Sequence, residues 1–511
     1  MEKLAMALLA LYGGVALLLS LYALHRLVLT WLFVRARRAP RAHPTDLGAE
    51  PMVTVQLPVF NEPYVVERLI DAVVAMDWPR TKLEIQVLDD STDETTGLAF
   101  AAVARWRARG VDIALLHRSE RHGFKAGALA EGLRVAKGSF IAIFDADFVP
   151  PRDFLSRAMA AFAPGVGMVQ ARWGHINARE GWLMRVQAML LDGHFVIEHA
   201  ARASAGLWFN FNGTAGIWRR EAIESAGGWQ HDTLTEDLDL SYRAQLAGWR
   251  FVYLSDLVVP GELPPDLAAL RAQQHRWAKG SIQTARKLLT RVWRAPVELR
   301  VKLEATSHLC ANLSYPFAIA LAMLTPVTVA ARTELDASWF WFDLVFWGAS
   351  LGSVVTFYTI SQISAWPDGG RRLLALPATL AVGVGLAVGQ TRAVVEALLG
   401  RASPFVRTPK VGDQRTIALR RIGAAGPGRG LALVEYALAM YQAVGLGWTL
   451  GQGHLSTAPL QVIMLAGTTI FAVGGLSAGS GARRISSAEL GQSLEGPGDL
   501  QGPRASHTLG G

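Results

Sequence analysis

Long apolar runs at both ends of the chain restrict its fold more than any other feature. They cover residues 4–34 near the N-terminus and about 306–332, 340–363, 430–451 and 458–477 in the second half. Each matches or exceeds the roughly 20 residues that an α-helix needs to span a bilayer, and a helix satisfies its own backbone polar groups in lipid. Since 51% of the residues are hydrophobic and only 18% are charged, the sequence predicts an integral, multi-pass membrane protein.

The first apolar run, within residues 1–34, is predicted to be a membrane anchor. It is followed by Arg35, Arg37 and Arg38, and basic residues flank membrane helices mainly on the cytosolic side. Residues 35 onward are therefore expected in the cytosol. A cleaved signal peptide is the alternative, but its apolar core would be shorter and its basic flank would precede that core.

A sixth apolar stretch, at 372–399, receives a different interpretation. Its second half contains Arg392 and Glu396, which are unfavourable in lipid. A span here would also carry the basic loop at 401–429 away from the cytosol, against the charge bias. We interpret the stretch as re-entrant or interfacial, which leaves five spans and a cytosolic tail at 481–511 that is rich in Gly and Ser and predicted to be disordered.

Charge and cysteine content exclude two classes of protein. The formal net charge is +8, yet the basic residues cluster beside the apolar runs, so we expect a lipid bilayer and no nucleic acid as partner. The single cysteine, Cys310, rules out internal disulfides and cysteine-based metal sites. It is expected to be a small apolar residue of a membrane helix.

Residues 35–280 are predicted to form a soluble α/β domain with a mixed, largely parallel sheet. Short β-branched runs, among them 53–57, 85–88 and 140–144, alternate there with helical stretches, a pattern typical of strand–helix–strand units. Residues 281–304 mix Arg and Lys with apolar residues at helical spacing. This spacing predicts amphipathic interface helices, with an ordinary packed helix as the alternative.

Acidic residues follow two of these runs. Asp89 and Asp90 come after the second run, and Asp145 and Asp147 come after the third. Ligands collect at the carboxyl ends of strands in α/β sheets, so these side chains are expected to face one cleft. Two carboxylates one residue apart suit Mg2+ or Mn2+ bridging a diphosphate, and Lys125, among glycines, can pair with the same diphosphate. Solvated turns, helix capping and an exposed lysine are the structural alternatives.

The run that starts at Thr235 offers a catalytic base. Glu236 and Asp237 follow this threonine, and a sugar transfer that inverts the anomeric centre needs a carboxylate to take the proton of the acceptor hydroxyl. Asp237 is the candidate, with Glu236 beside it. A helix start capped by Thr235, with acidic residues in the first turn, would explain the same residues structurally.

A later run combines an amide, a guanidinium and a large aromatic ring, namely Gln273, Arg276 and Trp277. These groups suit a pyrophosphate oxygen and a stacked sugar ring. Core packing would account for Trp277 alone but not for its polar neighbours.

Together these motifs resemble the family 2 glycosyltransferases of the cellulose and hyaluronan synthase group. They read most like the plant cellulose-synthase-like A proteins, the mannan and glucomannan synthases. The likeness runs from about Val53 to Trp277 and includes the segments 86–93, 125–129, 142–148, 169–173, 211–218, 226–229 and 273–277. The resemblance implies a GT-A fold and a metal-dependent, inverting transfer.

The resemblance also implies roles for individual residues. Those at the nucleotide are Glu62, Asp89, Asp90, Lys125 and Asp145. Those at the acceptor and diphosphate are Asn212, Gly213, Thr214, Gln273, Arg276 and Trp277. Asp145 and Asp147 would hold the metal ion, and Asp237 would act as the base.

Residues 401–412 resemble the gating loop of cellulose synthases. Phe405, Thr408 and Lys410 stand at matching positions. Arg407 replaces the usual valine. This departure concerns the insertion of the loop over the nucleotide, which the resemblance alone implies.

The resemblance implies an enzyme that polymerises a β-1,4-linked glycan (mannan, glucomannan or glucan) from GDP-mannose, GDP-glucose or UDP-glucose. The growing polysaccharide would cross a channel formed by residues 305–480. Transfer of one sugar to a sphingolipid, diacylglycerol or polyprenyl phosphate is the alternative, and a scaffold without catalysis is another. A homo-oligomer is left open. The Ala- and Arg-rich composition without sorting signals indicates a bacterial inner membrane, although a Golgi membrane would require the same spans.

Overall fold

The computed structural model describes residues 2–37, 50–335, 339–401, 410, 412 and 429–481. An α/β domain lies between an N-terminal helix and a bundle of helices from the second half of the chain. The tail that the sequence predicts to be disordered lies, from residue 482 on, outside the described residues.

Seven strands form one mixed sheet in the described part of the chain. They are β1 (Val53–Val59), β2 (Leu83–Asp89), β3 (Ile113–His117), β4 (Phe140–Ile143), β5 (Val166–His175), β6 (Gly216–Arg219) and β7 (Arg250–Gly261). Their order is β3-β2-β1-β4-β6-β5-β7; β1 to β4 run parallel, β6 is antiparallel to β4 and β5, and β7 is parallel to β5. The predicted fold class, an α/β domain with a mixed, largely parallel sheet joined to a helical membrane region, is confirmed.

Helices cover the sheet and build the bundle. The helices of the domain are α2 (Val66–Val74), α3 (Thr95–Arg107), α4 (Phe124–Val135), α5 (Phe154–Met159), α6 (Trp182–Asp192), α7 (His199–Ser204), α8 (Arg220–Ser225) and α9 (Glu236–Leu246). The remaining helices are α1 (Glu2–Ala36), α10 (Leu267–Arg294), α11 (Leu299–Leu309), α12 (Ser314–Glu334), α13 (Phe340–Ala365), α14 (Gly369–Arg372), α15 (Leu376–Gly385), α16 (Ala387–Leu398), α17 (Arg429–Gly451) and α18 (Ala458–Gly481).

The central strands are buried on both faces because helices cover the sheet on both sides. Every residue of β1 and β2 is buried. The polar side chains on one face pair with each other: Thr54 Oγ1 donates to Glu84 Oε2 at 2.6 Å, and Gln56 Nε2 donates to Gln86 Oε1 at 3.0 Å. Helix α4 approaches closely here, since a Cβ on Gly132 would lie 2.6 Å from Gln56 Nε2. These contacts hold β1, β2 and α4 together on one face of the sheet.

Six helices within the described ranges are long and apolar enough to cross a membrane: Glu2–Ala36, Ala311–Glu334, Phe340–Ala365, Gly369–Leu398, Gly430–Gly451 and Ala458–Leu476. Five match the predicted spans, and the chain is an integral membrane protein. The sixth, Gly369–Leu398, is the stretch interpreted from sequence as re-entrant or interfacial, although its length and composition also suit a span. It breaks at Leu386 into α15 and α16, and α16 packs along α10. The interfacial placement stays a prediction.

The predicted domain boundary at residue 280 does not coincide with a break in the structure, because α10 runs through it as one helix. The segment predicted as amphipathic, 281–304, comprises the end of α10 and the start of α11. Its apolar residues Leu288 and Val292 are buried against α9 and α11, whereas Trp293 and Leu299 are exposed. Much of that apolar face therefore packs against protein, in agreement with the alternative of an ordinary packed helix.

Candidate active site

A cleft of about 230 Å³ opens at the carboxyl ends of β1, β2 and β4. Adjacent parallel strands deliver their following loops to the same edge of a sheet, which brings most of the predicted residues together. Those that line the cleft are Glu62, Asp90, Lys125, Asp145, Asp147, Asn212, Gly213, Glu236, Asp237, Gln273, Arg276, Trp277 and Lys410. Asp89 and Thr214 lie outside its lining.

The loop after β4 brings Asp145 against a lysine. Lys125 Nζ lies 2.5 Å from Asp145 Oδ1 and donates to the Gly213 carbonyl at 2.8 Å. Burial alone would lower the pKa of Lys125, but the carboxylates of Asp145 and Glu236 outweigh burial and raise it. Lys125 is therefore a fixed cation of the cleft and not an exposed surface lysine. Thr214 supports the arrangement from behind, since its Oγ1 accepts a hydrogen bond from Asp145 N at 2.9 Å.

Asp147 is more enclosed than Asp145. Its Oδ2 lies 2.5 Å from Lys410 Nζ, and its buried Oδ1 has no hydrogen-bond partner among the described residues. Burial raises the pKa of Asp147, and Asp145 adds to this effect while Lys410 opposes it. An orphaned carboxylate oxygen beside a second carboxylate fits an oxygen-liganded Mg2+ or Mn2+.

The protein alone offers few ligands to such an ion. Across the described ranges, no three His, Cys, Asp or Glu side chains converge as a metal-binding group. Magnesium in phosphate-transfer sites is commonly held by one or two carboxylates together with phosphate oxygens and water. Asp145 and Asp147 match that donor set if a bound diphosphate supplies the rest.

The predicted gating-like loop is described only in part. Lys410 lines the cleft, and Gly412 N donates to Glu262 Oε2 at 3.2 Å. Phe405 and Thr408 lie outside the described residues. Lys410 thus lies on the expected side of the domain, while the assignment of the loop stays a prediction.

Asp237 lies in the first turn of α9, against the loop that follows Asn212. A Cβ on Gly213 would lie 3.0 Å from Asp237 Oδ2, and Gly213 has φ +79°, so a glycine allows the loop to reach this carboxylate. Burial raises the pKa of Asp237 to about 7, with a further contribution from Glu236, while Lys125 opposes the shift. A carboxylate with a pKa near neutrality is suited to general-base catalysis at physiological pH.

Helix α10 brings Gln273, Arg276 and Trp277 to the cleft. Gly280 permits this approach, because a Cβ there would lie 2.5 Å from the Thr235 side chain. The Thr235 side chain makes no capping hydrogen bond to α9, so the capping explanation of this run is not supported. Burial lowers the pKa of Arg276, and the nearby cleft carboxylates oppose that shift. The guanidinium is thus an enclosed cation close to the candidate base.

Asp89 and Asp90 differ although they are adjacent. Asp90 lines the cleft and is bidentate with Arg118, whose Nε and Nη2 lie 2.7 and 2.6 Å from its two oxygens. Asp89 is fully buried, accepts from Thr96 Oγ1 at 2.7 Å and lies 2.8 Å from His117 Nδ1. Hydrogen bonds from the surrounding loops outweigh burial and lower the pKa of Asp89. The Asp89 carboxylate thus lies behind the lining of the cleft, and its predicted nucleotide contact stays a prediction.

Sequence reasoning missed several aromatic and cationic groups of the cleft. The Arg121 guanidinium lies over the Phe60 ring, 3.3 Å from its centroid, and both residues line the cleft together with Glu62. Phe60 directly follows β1, so the rule that ligands collect at strand ends could have identified it. Trp173 also lines the cleft; it belongs to the motif at 169–173, to which no role was assigned.

A second cavity, of about 1090 Å³, begins at the cleft and extends into the helical bundle; we call it the membrane cavity. It shares with the cleft the residues Trp173, Leu191, Asn212, Thr235, Asp237 and Trp277. Its lining includes Asp343 and Ser456, which lie near one end of α13. The other end of α13 contacts the domain, where Gln362 Nε2 donates to Asp192 Oδ2 at 3.0 Å. Since α13 has 26 residues, the membrane cavity reaches the side of the bundle away from the domain.

Aromatic and uncharged polar side chains line the membrane cavity between its ends. They include Asn312, Tyr315, Trp347, Ser350, Phe357, Tyr358 and Thr379. Such groups offer ring faces and hydrogen bonds without net charge.

Residues 51–280 match the family model described as Glycosyltransferase like family 2. With this sheet and cleft, residues 51–280 are similar to the domain of family 2 glycosyltransferases. Glucomannan 4-beta-mannosyltransferase 2 of Arabidopsis thaliana is 46% identical over 257 residues, which cover 49% of this chain and 48% of that protein. Glucomannan 4-beta-mannosyltransferase 1 of Oryza sativa subsp. japonica is 45% identical over 257 residues, 49% of each chain. The predicted likeness to the cellulose-synthase-like A group is confirmed, and the chain spans about half the length of the curated relatives it matches.

Among solved structures, the mannosyltransferase PcManGT from Pyrobaculum calidifontis, in complex with GDP-Man and Mn2+, shares 24% sequence identity with this chain. The match covers 78% of this chain and 99% of that chain, with a TM-score of 0.49. A likeness at this level carries no argument about ligands.

Proposed function

We propose that the protein is a membrane-embedded, inverting glycosyltransferase that polymerises a β-1,4-linked glycan and threads it through the membrane cavity. One observation carries the proposal: Asp237 and Trp277 line both the cleft and the membrane cavity. A sugar added beside the base therefore has a continuous way into the bundle. The many aromatic and polar side chains of the lining suit a neutral chain, because aromatic rings stack on sugar faces and polar groups bind hydroxyls.

The donor in this proposal is a nucleoside diphosphate sugar. Lys125 and Arg276 are enclosed cations of the cleft and would face the diphosphate. Asp145 and Asp147 would hold Mg2+ or Mn2+, which when bound neutralises charge on the leaving diphosphate. Glu62, together with the stacked aromatic and guanidinium groups beside it, forms the end of the cleft available to the nucleobase.

Asp237 performs the proton transfer. Its carboxylate takes the proton from an acceptor hydroxyl, and the oxygen of that hydroxyl attacks the anomeric carbon of the donor from the face opposite the diphosphate. The bond between the anomeric carbon and the diphosphate oxygen breaks, and the leaving group takes the electron pair into the field of Lys125 and Arg276. The new glycosidic bond therefore has inverted configuration. Trp277, which faces both cavities, stacks on the acceptor sugar.

GDP-mannose is the first donor to test, because the curated relatives named above are glucomannan 4-beta-mannosyltransferases. GDP-glucose and UDP-glucose are the other candidates, and the acceptor is the growing polysaccharide. Transfer of a single sugar to a lipid is the alternative outcome.

In this proposal the domain faces the cytosol, because Arg35 and Arg37 follow the first membrane helix. The bacterial inner membrane expected from composition finds no support in the plant relatives. Neither that membrane nor a homo-oligomer is part of the proposal.

The test is nucleotide release by the detergent-purified protein with Mg2+ or Mn2+, with GDP-mannose, GDP-glucose and UDP-glucose offered separately. The product is then digested with β-mannanase or cellulase. GDP release accompanied by a mannanase-sensitive polymer supports mannan synthesis, and a cellulase-sensitive polymer supports a glucan. Release that requires added lipid and yields no polymer supports the single-transfer alternative.

A further inference from the structure

The end of α16 presents exposed arginines around an exposed apolar surface. Three large apolar side chains and three guanidinium groups are exposed there, one of the arginines coming from α10 and one from the residues just after α16. Exposed apolar surface with a basic rim is typical of elements that lie in the headgroup region of a bilayer. We call these six residues the α16 patch: Arg286, Arg392, Val395, Leu398, Leu399 and Arg401.

Contacts at the helix end bring the arginines together. Arg286 Nη1 donates to the Ala397 carbonyl in the last turn of α16. Arg401 N donates to the Glu396 carbonyl at 2.9 Å. Gly400 closes this turn with φ +68°, and a Cβ there would lie 3.7 Å from Arg286 Nη1. Arg286 and Arg401 therefore lie beside the same helix end, although they are far apart in sequence.

Positive charge exceeds negative charge in the α16 patch. Arg392 Nε donates to Glu396 Oε1 at 2.8 Å, and among the described residues Glu396 is the only carboxylate that pairs with any of the three arginines. The same carboxylate accepts from Lys279 Nζ at 3.0 Å and lies 3.4 Å from His275 Nε2. Because one carboxylate is shared among several cations, the patch attracts anions.

The membrane helices beside α16 indicate the height of the patch. Near the end of α16, Val394 packs in one apolar cluster with Leu313, which directly precedes α12. Near its start, a Cβ on Gly389 would lie 3.8 Å from Arg271, and Arg271 pairs with Glu435 in the second turn of α17. Both ends of α16 thus lie beside the first turns of membrane helices. This position corresponds to the headgroup region of the leaflet next to the domain.

Glu396 connects the α16 patch to the cleft through α10. Lys279 is fully buried, and it shares Glu396 with His275, which lies one helical turn earlier on the same face of α10. Arg276 and Trp277, between these two residues, line the cleft. A buried charge is costly without its partner. The Glu396 carboxylate therefore fixes the position of α10 relative to α16.

We propose that the α16 patch binds anionic phospholipids of the leaflet next to the domain, and that the bound lipid holds α16 and, through Glu396, α10 in place at the cleft. The guanidinium groups bind the lipid phosphate, for which their planar donors are suited. Val395, Leu398 and Leu399 contact the upper part of the acyl chains. The ligand is a membrane lipid with a net negative headgroup, and its binding does not depend on which sugar is transferred.

The double variant Arg392→Gln with Arg401→Gln tests the site. The full-length protein is placed in nanodiscs of phosphatidylcholine with increasing shares of phosphatidylglycerol, and the lipids that stay bound after release are identified by native mass spectrometry. We expect the wild type to retain phosphatidylglycerol in preference to phosphatidylcholine. The double variant should lower this preference about thirtyfold, since each basic residue near an anionic surface contributes about fivefold.

Nucleotide release is the second readout. Release by the wild type should rise several-fold with phosphatidylglycerol, and the double variant should not show this rise. Inorganic phosphate added to phosphatidylcholine discs should not replace the lipid. Equal release in both kinds of disc overturns the link from the patch to the cleft, and activation by inorganic phosphate overturns the assignment to a lipid. A wild type that releases no nucleotide overturns the proposed function, whereas lipid retention still tests the patch.

Arg134→Gln is the matched control. Arg134 is exposed in the last turn of α4, whose first residue, Phe124, lines the cleft at the opposite end of that helix. Its lipid preference should equal that of the wild type. Arg392→Lys with Arg401→Lys keeps both charges and should keep most of the preference, and the single glutamine variants carry the test if the double variant does not fold. Equal retention of the two lipids by the wild type, or the same loss in Arg134→Gln, overturns the inference.

Discussion

The cleft and the membrane cavity meet at Asp237, yet they satisfy their polar groups differently. In the cleft, the two carboxylates that follow β4 are each paired with a lysine, Asp145 with Lys125 and Asp147 with Lys410. In the membrane cavity the lining between the ends is mainly aromatic and uncharged polar, with Arg26 lying 5.5 Å from the centroid of the Phe357 ring. A dianionic diphosphate needs fixed charges, which are strong in an enclosed site, whereas a neutral chain that must slide needs weak and repeated contacts.

The carboxylate at the far end of the membrane cavity belongs to a closed ion pair. Near the far end, the Arg332 guanidinium is bidentate with Asp343 at 2.6 and 3.0 Å, and both side chains are buried. Ser456 Oγ also donates to Asp343 Oδ2, at 2.7 Å. A buried pair of this quality fixes helix register more than it adds stability. The charges of the cleft are thus proposed to bind substrate, whereas the Arg332–Asp343 pair holds the bundle together.

The largest effect should come from Asp237→Asn, which removes the base and keeps the shape of the side chain. We expect kcat to fall about 10³-fold, within the range that general-base catalysis supplies. Donor affinity, measured by nucleotide-sugar binding, should stay within about threefold. Activity equal to the wild type would remove Asp237 from the base role.

The second effect concerns the orphaned oxygen of Asp147. Asp147→Asn should raise the Mn2+ or Mg2+ concentration needed for half-maximal activity by tenfold or more, since a metal ligand is weakened. Removal of divalent ions with EDTA should abolish nucleotide release in the wild type. Asp153→Asn, at an exposed carboxylate near α5, is the control and should leave the metal dependence unchanged. Full activity in EDTA would contradict the assignment of Asp145 and Asp147.

A bulky side chain in the membrane cavity should affect product length more than chemistry. Gly348 lines the membrane cavity, and a Cβ there meets nothing within 4 Å. Gly348→Trp should shorten the polymer several-fold, while nucleotide release with a short acceptor stays within about twofold. Gly447 has equal space around it but does not line the cavity, so Gly447→Trp should leave product length unchanged. Unchanged length in both variants would contradict a path for the polymer through the membrane cavity.

A pH limb should report on Asp237 without any substitution. Its pKa is raised to about 7, above the ordinary carboxyl value, so the base becomes protonated as the pH falls below neutrality. We expect kcat/KM to fall about tenfold per pH unit on that side. In the folded protein this carboxyl binds its proton more tightly than in the unfolded chain, so its contribution to stability should rise as the pH falls from neutrality.

Glu236→Gln sharpens the pH prediction. Glu236 adds to the raised pKa of Asp237, so its neutralisation should move the acid limb to lower pH. A profile that stays flat from pH 8 to pH 5 in the wild type would contradict the role of Asp237 as the titrating base.

The sequence predicts the fold and much of the cleft because both depend on local pattern. Strand runs followed by Asp, Lys or Gly place functional groups at one sheet edge, and Asp145, Asp147 and Lys125 meet there as expected. The same pattern does not distinguish Asp89 from Asp90. Strand geometry directs one side chain to the cleft and the other to the loops behind it.

The junction of the two cavities could not be predicted in the same way. The π-helical turn at Gly193–Glu198 differs from an α-helix by a small local insertion that leaves the apolar periodicity of its neighbours intact. The membrane cavity is lined by helices far apart in sequence, and their relative positions follow from packing. The residues of this turn that line the membrane cavity, His194 among them, therefore receive no prediction from the sequence.

Arg271 determines how the catalytic domain can be handled in the laboratory. Its Nη2 donates to Glu435 Oε2 of α17 at 2.9 Å, both side chains are buried, and the guanidinium lies 4.9 Å from the centroid of the Phe471 ring of α18. A soluble fragment that ends at residue 280 loses Glu435 and Phe471, and it exposes Leu270, which packs in one apolar cluster with Val382 and Phe471. Exposed apolar surface of this kind favours association. Truncation for expression or biocatalysis therefore requires polar replacements on this face of α10, or else the membrane helices must be retained.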